Sequence, residues 1–163
     1  MKVTGSDFDG TITTNNVIVI KPHHLLDIFK LYGKGIENFI PDKNYNHNFY
    51  LIGNAVIRNE VNKIRFTYSY DDICKPCYYL KNSVCSDYFS ANEVDINKNK
   101  FNEKLDIRLM KLLNLKFDET YEFKNIGYIS KMVNSRNRIN EKIIFLHVSN
   151  TEEICDLMHS FLD

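Results

Sequence analysis

Apolar positions along the chain fall into short runs with distinct periods. Val17–Ile20 is four consecutive β-branched residues, the length and composition of a short strand. Pro22 suits the first turn of a helix, where a missing N–H costs nothing. Leu25, Leu26, Ile28, Phe29 and Leu31 continue that helix, and Gly33 stops it. Gly33-Lys-Gly35 and Pro41-Asp-Lys-Asn44 read as turns. Phe49, Ile52, Val56, Ile57 and Val61 recur at three- to four-residue steps, predicting an amphipathic helix from about Asn46 to Asn62. Ile64, Phe66, Tyr68 and Tyr70 alternate with Lys63, Arg65, Thr67 and Ser69, predicting a half-buried strand that Asp71-Asp72 ends.

Further on, Phe101, Leu105, Leu109 and Leu112 share a face of a helix expected over Lys98–Asn114. Tyr121–Phe123 reads as a short extended piece, Ile126–Val133 as a short helix and Lys142–Val148 as a strand. Asn150 caps a last helix, with Glu153 completing a capping box. Strands and helices mix without strict alternation. The expectation is an α+β fold: one small mixed domain with a short sheet and about four to five helices. Residues 1–16, polar and small, read as a leader, and residues 17–163 as the single domain.

Composition narrows the class of protein. The 163 residues are 44% hydrophobic and 26% charged, which suits a globular domain with a real core. Lys+Arg and Asp+Glu are both 21, so there is no basic excess to favour nucleic acid or an anionic membrane. The longest apolar stretches, Val17–Ile20 and Ile143–Leu146, are strand-sized, against roughly 20 residues for a membrane span. The N-terminus lacks the basic region and apolar core of a signal peptide. A cytoplasmic location is therefore expected. Thiols stay reduced there, and clustered cysteines serve as ligands or redox groups more often than as disulfides.

The most specific chemistry is Cys74-Lys-Pro-Cys77 followed by Cys85. A two-residue turn lets two sulfurs chelate one metal, and Pro76 stiffens it. Cys85 can return to the same point because Leu80–Ser83 is short and holds turn formers. Three thiolates leave one coordination position open. Thiolate ligation suits an iron–sulfur cluster, with zinc as the alternative. Redox activity of Cys-x-x-Cys and plain core packing are the competing readings. Cys155, in register with Met158 and Leu162, reads as core. Upstream, His23 and His24 open a helix, with Asp27 one turn on where either ring can stand beside it. The positive helix N-terminus disfavours a charged imidazole, leaving neutral rings as ligands or proton acceptors. His23 and His24 are thus the candidate catalytic groups. Asp71 and Asp72 are placed to accept backbone N–H bonds that shape the cysteine loop.

Lys21-Pro-His-His-Leu-Leu26, Gly33-Lys-Gly35, Asp71-Asp-Ile-Cys-Lys-Pro-Cys77 and Cys85 resemble a small prokaryotic family of unknown function, domain of unknown function 1284. Its members carry an Arg-Pro-His-His-Leu-Leu-Cys block, a Gly-Lys-Gly turn and an Asp-x-Ile-Cys-x-x-Cys-Pro segment. They are described as iron–sulfur-binding on that cysteine pattern. The resemblance spans about Lys21 to Leu115 and rests on the order of its blocks. It implies a cluster held by Cys74, Cys77 and Cys85. Asp27 stands where relatives have a cysteine, and so becomes the implied fourth ligand. Carboxylate is harder and more labile than thiolate. One iron could then act as a Lewis acid on a small-molecule substrate. The other reading is a structural zinc or electron-transfer centre without catalysis. Asp7-Phe-Asp9-Gly-Thr11 also resembles the first motif of haloacid-dehalogenase-like phosphatases, in which the first Asp attacks phosphorus. Met1–Ser6 is too polar for the buried strand that motif should follow, so a polar turn is the preferred identity. Oligomeric state is not encoded in these patterns.

Overall fold

A computed structural model of the chain describes residues 17–91 and 93–125. The expectations for the leader, Asp7–Thr11, the Ile126–Val133 helix, the Lys142–Val148 strand, the last helix and Cys155 lie outside these residues.

The chain enters on β1 (Val17–Ile20), then α1 (Pro22–Gly33), α2 (Phe49–Ile57) and β2 (Lys63–Phe66). Strands β1 and β2 pair in parallel, Ile18 opposite Ile64 and Ile20 opposite Phe66. A parallel pair needs a long crossover, and α1 and α2 supply it. On the other side of β2 lies the antiparallel β7 (Thr120–Glu122), giving the sheet order β1-β2-β7. Two hairpins precede α3 (Lys98–Leu113): β3 (Leu80–Lys81) with β4 (Val84–Cys85), and β5 (Tyr88–Ala91) with β6 (Val94–Asn97). A single 3-10 turn, Phe123–Asn125, follows β7.

One core joins these pieces. Ile18, Ile20, Ile64 and Phe66 from the sheet meet Leu25, Ile28 and Phe29 of α1, Ile52 and Val56 of α2, Ile73, Met110 and Phe123. Each fully buried aliphatic or aromatic side chain contributes about 1.5–3 kcal/mol relative to exposure.

The fold class needs correction. The described residues hold three α-helices, not four to five, and seven strands split among three small sheets rather than one short sheet. The architecture is still mixed α+β. Two shortened elements show why. Strand β2 stops at Phe66, leaving Tyr68 and Tyr70 exposed rather than alternating inward. Its partner β1 runs out at Ile20, and Pro22 offers no N–H to extend the ladder. Tyr68 instead stacks on Phe117 at 3.5 Å between ring centroids. Helix α2 spans nine residues, because Asn46 (φ 53°) and Asn59 (φ 59°) sit in the left-handed region just outside its ends.

Helix α3 matches its expected span. Asn97 accepts the Lys100 N–H at its start, and left-handed Asn114 ends it. Its most deeply buried described residues are Asp106 and Met110, both 3% exposed, whereas Phe101, Leu105 and Leu109 are only half-buried. The β5–β6 hairpin was not anticipated.

Candidate metal centre

Helix α1 begins without a cap of its own, since Lys21 makes no side-chain capping bond. Carboxylates from two distant elements take that role. Asp71, just past β2, accepts the Lys21 N–H at 2.8 Å. Asp106 of α3 accepts the His23 N–H at 2.7 Å. Free N–H groups and the positive helix end favour anions there, which is why two buried carboxylates are tolerated. Asp71 is fully buried and Asp106 is 3% exposed.

Each carboxylate also holds one histidine. His24 Nδ1 bonds Asp71 Oδ2 at 2.7 Å. His23 Nδ1 bonds both Asp106 oxygens, at 3.0 and 2.9 Å. Asn102 Nδ2 lies 3.2 Å from His23 Nε2. Donation from Asn102 fixes the tautomer with the proton on Nδ1, facing Asp106. Neither ring takes Asp27 as its hydrogen-bond partner, contrary to the expectation from helical spacing. The two rings sit 4.3 Å apart and tilted.

The two rings differ in how their surroundings bias protonation. Burial and the neighbouring His24 hold the His23 pKa below the ordinary histidine value, so it is neutral. Burial also opposes a charged His24, but the Asp71 carboxylate and its hydrogen bond outweigh it, and the pKa is raised. The two rings are thus shifted in opposite directions, His23 away from and His24 toward the protonated form. Burial would raise the Asp71 pKa, yet His24 and the Lys21 and Cys74 N–H groups carry it well below the carboxylate range.

Asp71 reaches the cysteine loop as well. Its Oδ1 accepts the Cys74 N–H at 2.9 Å. Asp72 accepts the Val19 N–H at 2.8 Å and pairs with Lys75 at 2.7 Å. The expected backbone bond to the cysteine loop is observed for Asp71, whereas Asp72 accepts a backbone N–H from β1 and meets the loop through its ion pair with Lys75. Burial and the adjacent Asp71 carboxylate push the Cys74 thiol far up, so without a cation it is protonated. Burial also raises Cys77.

The β3–β4 hairpin returns Cys85 opposite Leu80. Asn82 and Ser83 both have positive φ, the requirement of a tight two-residue turn. All three cysteines are free thiols. They line one cavity of about 750 Å³ together with His23, His24, Asp27 and His47. His24, Asp71 and Cys74 bring their ligand atoms within 4.8 Å of one another, with His24 and Cys74 lining the cavity and Asp71 fully buried. Cys77, Cys85 and Asp27 share the cavity but stand outside that group. A nitrogen, an oxygen and a sulfur so placed form a candidate site for one metal ion.

Sequence reasoning missed several residues here. Asp106 had one signal, an acidic side chain beside the apolar stripe of α3. His47 had none. Its segment is laid against the cysteine loop: Asn48 N–H donates to the Ile73 carbonyl at 3.0 Å, and Tyr78 N–H to the Tyr45 carbonyl at 2.9 Å. Also lining the cavity, Asp87 Oδ2 accepts from Tyr45 Oη at 2.9 Å and from Lys98 Nζ at 2.5 Å.

Comparison with models of known families, with curated proteins and with solved structures finds no match to this chain. Among the described residues no helix is long and apolar enough to cross a membrane.

Proposed function

We propose that this is a metal-binding protein whose centre is built on His24, Asp71 and Cys74. The convergence of imidazole, carboxylate and thiol within 4.8 Å carries the reading. Around one tetrahedral ion, donors at roughly 2.0–2.3 Å stand about 3.3–3.8 Å apart, so a group this tight needs only small adjustments. The mixed donor set suits a borderline ion such as Zn²⁺. A cation also resolves the electrostatics. It would offset the Asp71 charge that keeps Cys74 protonated and stabilise the thiolate. Asp71 can ligate directly or orient His24 through Nδ1, the arrangement that commonly positions metal-bound histidines.

A second reading is an iron–sulfur cluster on Cys74, Cys77 and Cys85, with Asp27 as fourth ligand. It is favoured by the presence of all four residues in one cavity, by thiolate chemistry and by the resemblance described above. A cluster spreads its ligands more widely than a single ion does. Asp27 would leave one iron open for a Lewis-acid reaction on a small substrate, with His23 and His24 handling protons.

Anaerobic purification followed by zinc, iron and sulfide analysis tests both. Zinc without sulfide, lost in His24→Ala and retained in Cys85→Ser, supports the single-ion centre. Iron with sulfide and visible absorption, lost in Cys85→Ser, supports the cluster. Asp27→Cys should then slow cluster loss in air. A protein that takes up neither zinc nor iron refutes both readings.

A further inference from the structure

The three thiols of the cavity divide into one and two. Cys74 has its sulfur within 4.8 Å of ligand atoms of His24 and Asp71, while Cys77 and Cys85 stand outside that group. Both are free, partly exposed and line the cavity, where a small reagent can reach them.

The backbone gathers these two around Leu80. The Leu80 N–H donates to the Cys77 carbonyl at 3.1 Å, closing a turn over residues 77–80, and such a turn keeps its end Cα atoms within about 7 Å. Leu80 is also the cross-strand partner of Cys85, and facing Cα atoms of an antiparallel pair lie about 4.5–5.5 Å apart. The hairpin holds this register firmly. Lys81 pairs with Val84, and the Ser86 N–H and hydroxyl both donate to the Tyr79 carbonyl at 2.8 Å. Cys85, rather than Cys74, is the thiol whose charge bears most on Cys77.

We propose that Cys77 and Cys85 close to a reversible disulfide, in place of the Cys74–Cys77 bridge that a Cys-x-x-Cys sequence suggests. The oxidant is a small disulfide such as oxidised glutathione. One cysteine thiolate attacks a glutathione sulfur, the S–S bond of the oxidant breaks, and one glutathione leaves as its thiolate. The other cysteine then attacks the protein sulfur of the mixed disulfide and releases the second glutathione. The two cysteines give up two electrons and two protons, and both end on the two glutathione thiols. The bridge spares His24, Asp71 and Cys74. It concerns the metal-free protein and so goes beyond both metal readings.

Reduced, chelator-treated protein is equilibrated with oxidised glutathione, and free thiols are counted after denaturation. The count should fall from four to two and return to four with dithiothreitol. Tryptic mass mapping reads the connectivity. Cys74 and Cys77 share peptide 66–81, because Pro76 blocks cleavage after Lys75, and Cys85 lies on peptide 82–98. The bridge should join these two peptides in wild type and in Cys74→Ser. It should be lost in Cys77→Ser and in Cys85→Ser, with alanine replacing serine should either variant not fold. An unchanged thiol count, a bridge within peptide 66–81, a bridge to Cys155, or loss of the link in Cys74→Ser overturns the proposal. So does a glutathione adduct that persists without a protein disulfide. Failure of either metal reading appears in the metal analysis and leaves this thiol count unaffected.

Discussion

Replacing Asp71 with Asn changes one oxygen to an amide and removes a charge at the point where α1, β2 and the cysteine loop meet. Asp71 Oδ2 accepts from the Lys21 N–H and His24 Nδ1, and Oδ1 from the Cys74 N–H. An asparagine must aim its NH₂ at one of these donors. The less costly choice puts it at the Oδ1 position, against the Cys74 N–H. One charge-assisted hydrogen bond is lost there, worth about 1.5–3 kcal/mol, and a buried N–H is left facing another donor at about 1–3 kcal/mol. His24 loses the charge that favours its protonated form. Breaking a buried pair typically costs about 3–5 kcal/mol, so a total near 4 kcal/mol is expected, a large share of the roughly 5–15 kcal/mol of a small domain. Urea unfolding of reduced, chelator-treated protein measures it. The pH dependence follows from the two shifts. Asp71 has a lowered folded pKa, so its contribution is present above about pH 4 and is lost as pH falls through the folded value. His24 has a raised folded pKa, so its contribution is full below about pH 6.5 and is lost as pH rises through the folded value. The gap between wild type and Asp71→Asn should be widest between about pH 4 and 6.5 and narrow as pH rises through the folded His24 value. A gap under about 1 kcal/mol at every pH would refute the view that Asp71 pins these three elements.

Asp106→Asn should loosen the α1–α3 contact at His23 and cost about 2–4 kcal/mol in the same unfolding assay; an unchanged midpoint would mean the contact is not formed in solution. Gly53→Ala should destabilise by about 1–2 kcal/mol, because the new Cβ would sit 2.7 Å from Phe39 Cδ2 and overpacking outweighs the helix-propensity gain of about 1 kcal/mol. Stabilisation would show that the Phe39 ring moves aside freely. His47→Phe removes the buried unpartnered Nδ1 and should raise the stability of ligand-free protein by about 1 kcal/mol, read as a higher melting temperature. A lower one would show that this nitrogen has a partner in the folded protein.

Local signals carried some elements well. Four β-branched residues made β1, Pro22 opened α1, and Asn97 and Asn114 bounded α3, because propensities and caps act within a few residues. The turn formers before Cys85 likewise built the hairpin that brings it back. Patterning failed where an element needed a partner strand or met a backbone reversal. The alternation at Tyr68 and Tyr70 continued past the point where β1 could pair, and the period of α2 ran across Asn46 and Asn59.

The candidate centre divides the same way. Its residue types were legible from the chain: two histidines at a helix start, an acidic pair and clustered cysteines. Which of them meet was not. Helical spacing pointed each histidine at Asp27, three or four residues on. The structure gives His24 to Asp71, 47 positions away, and His23 to Asp106, 83 positions away. Those pairings depend on the parallel register of β1 and β2, which sets the end of β2 beside the start of α1. They depend too on α3 packing a buried carboxylate against uncapped N–H groups. Side-chain chemistry is written residue by residue, but a binding site is a set of distances, and here the sheet and helix packing set them.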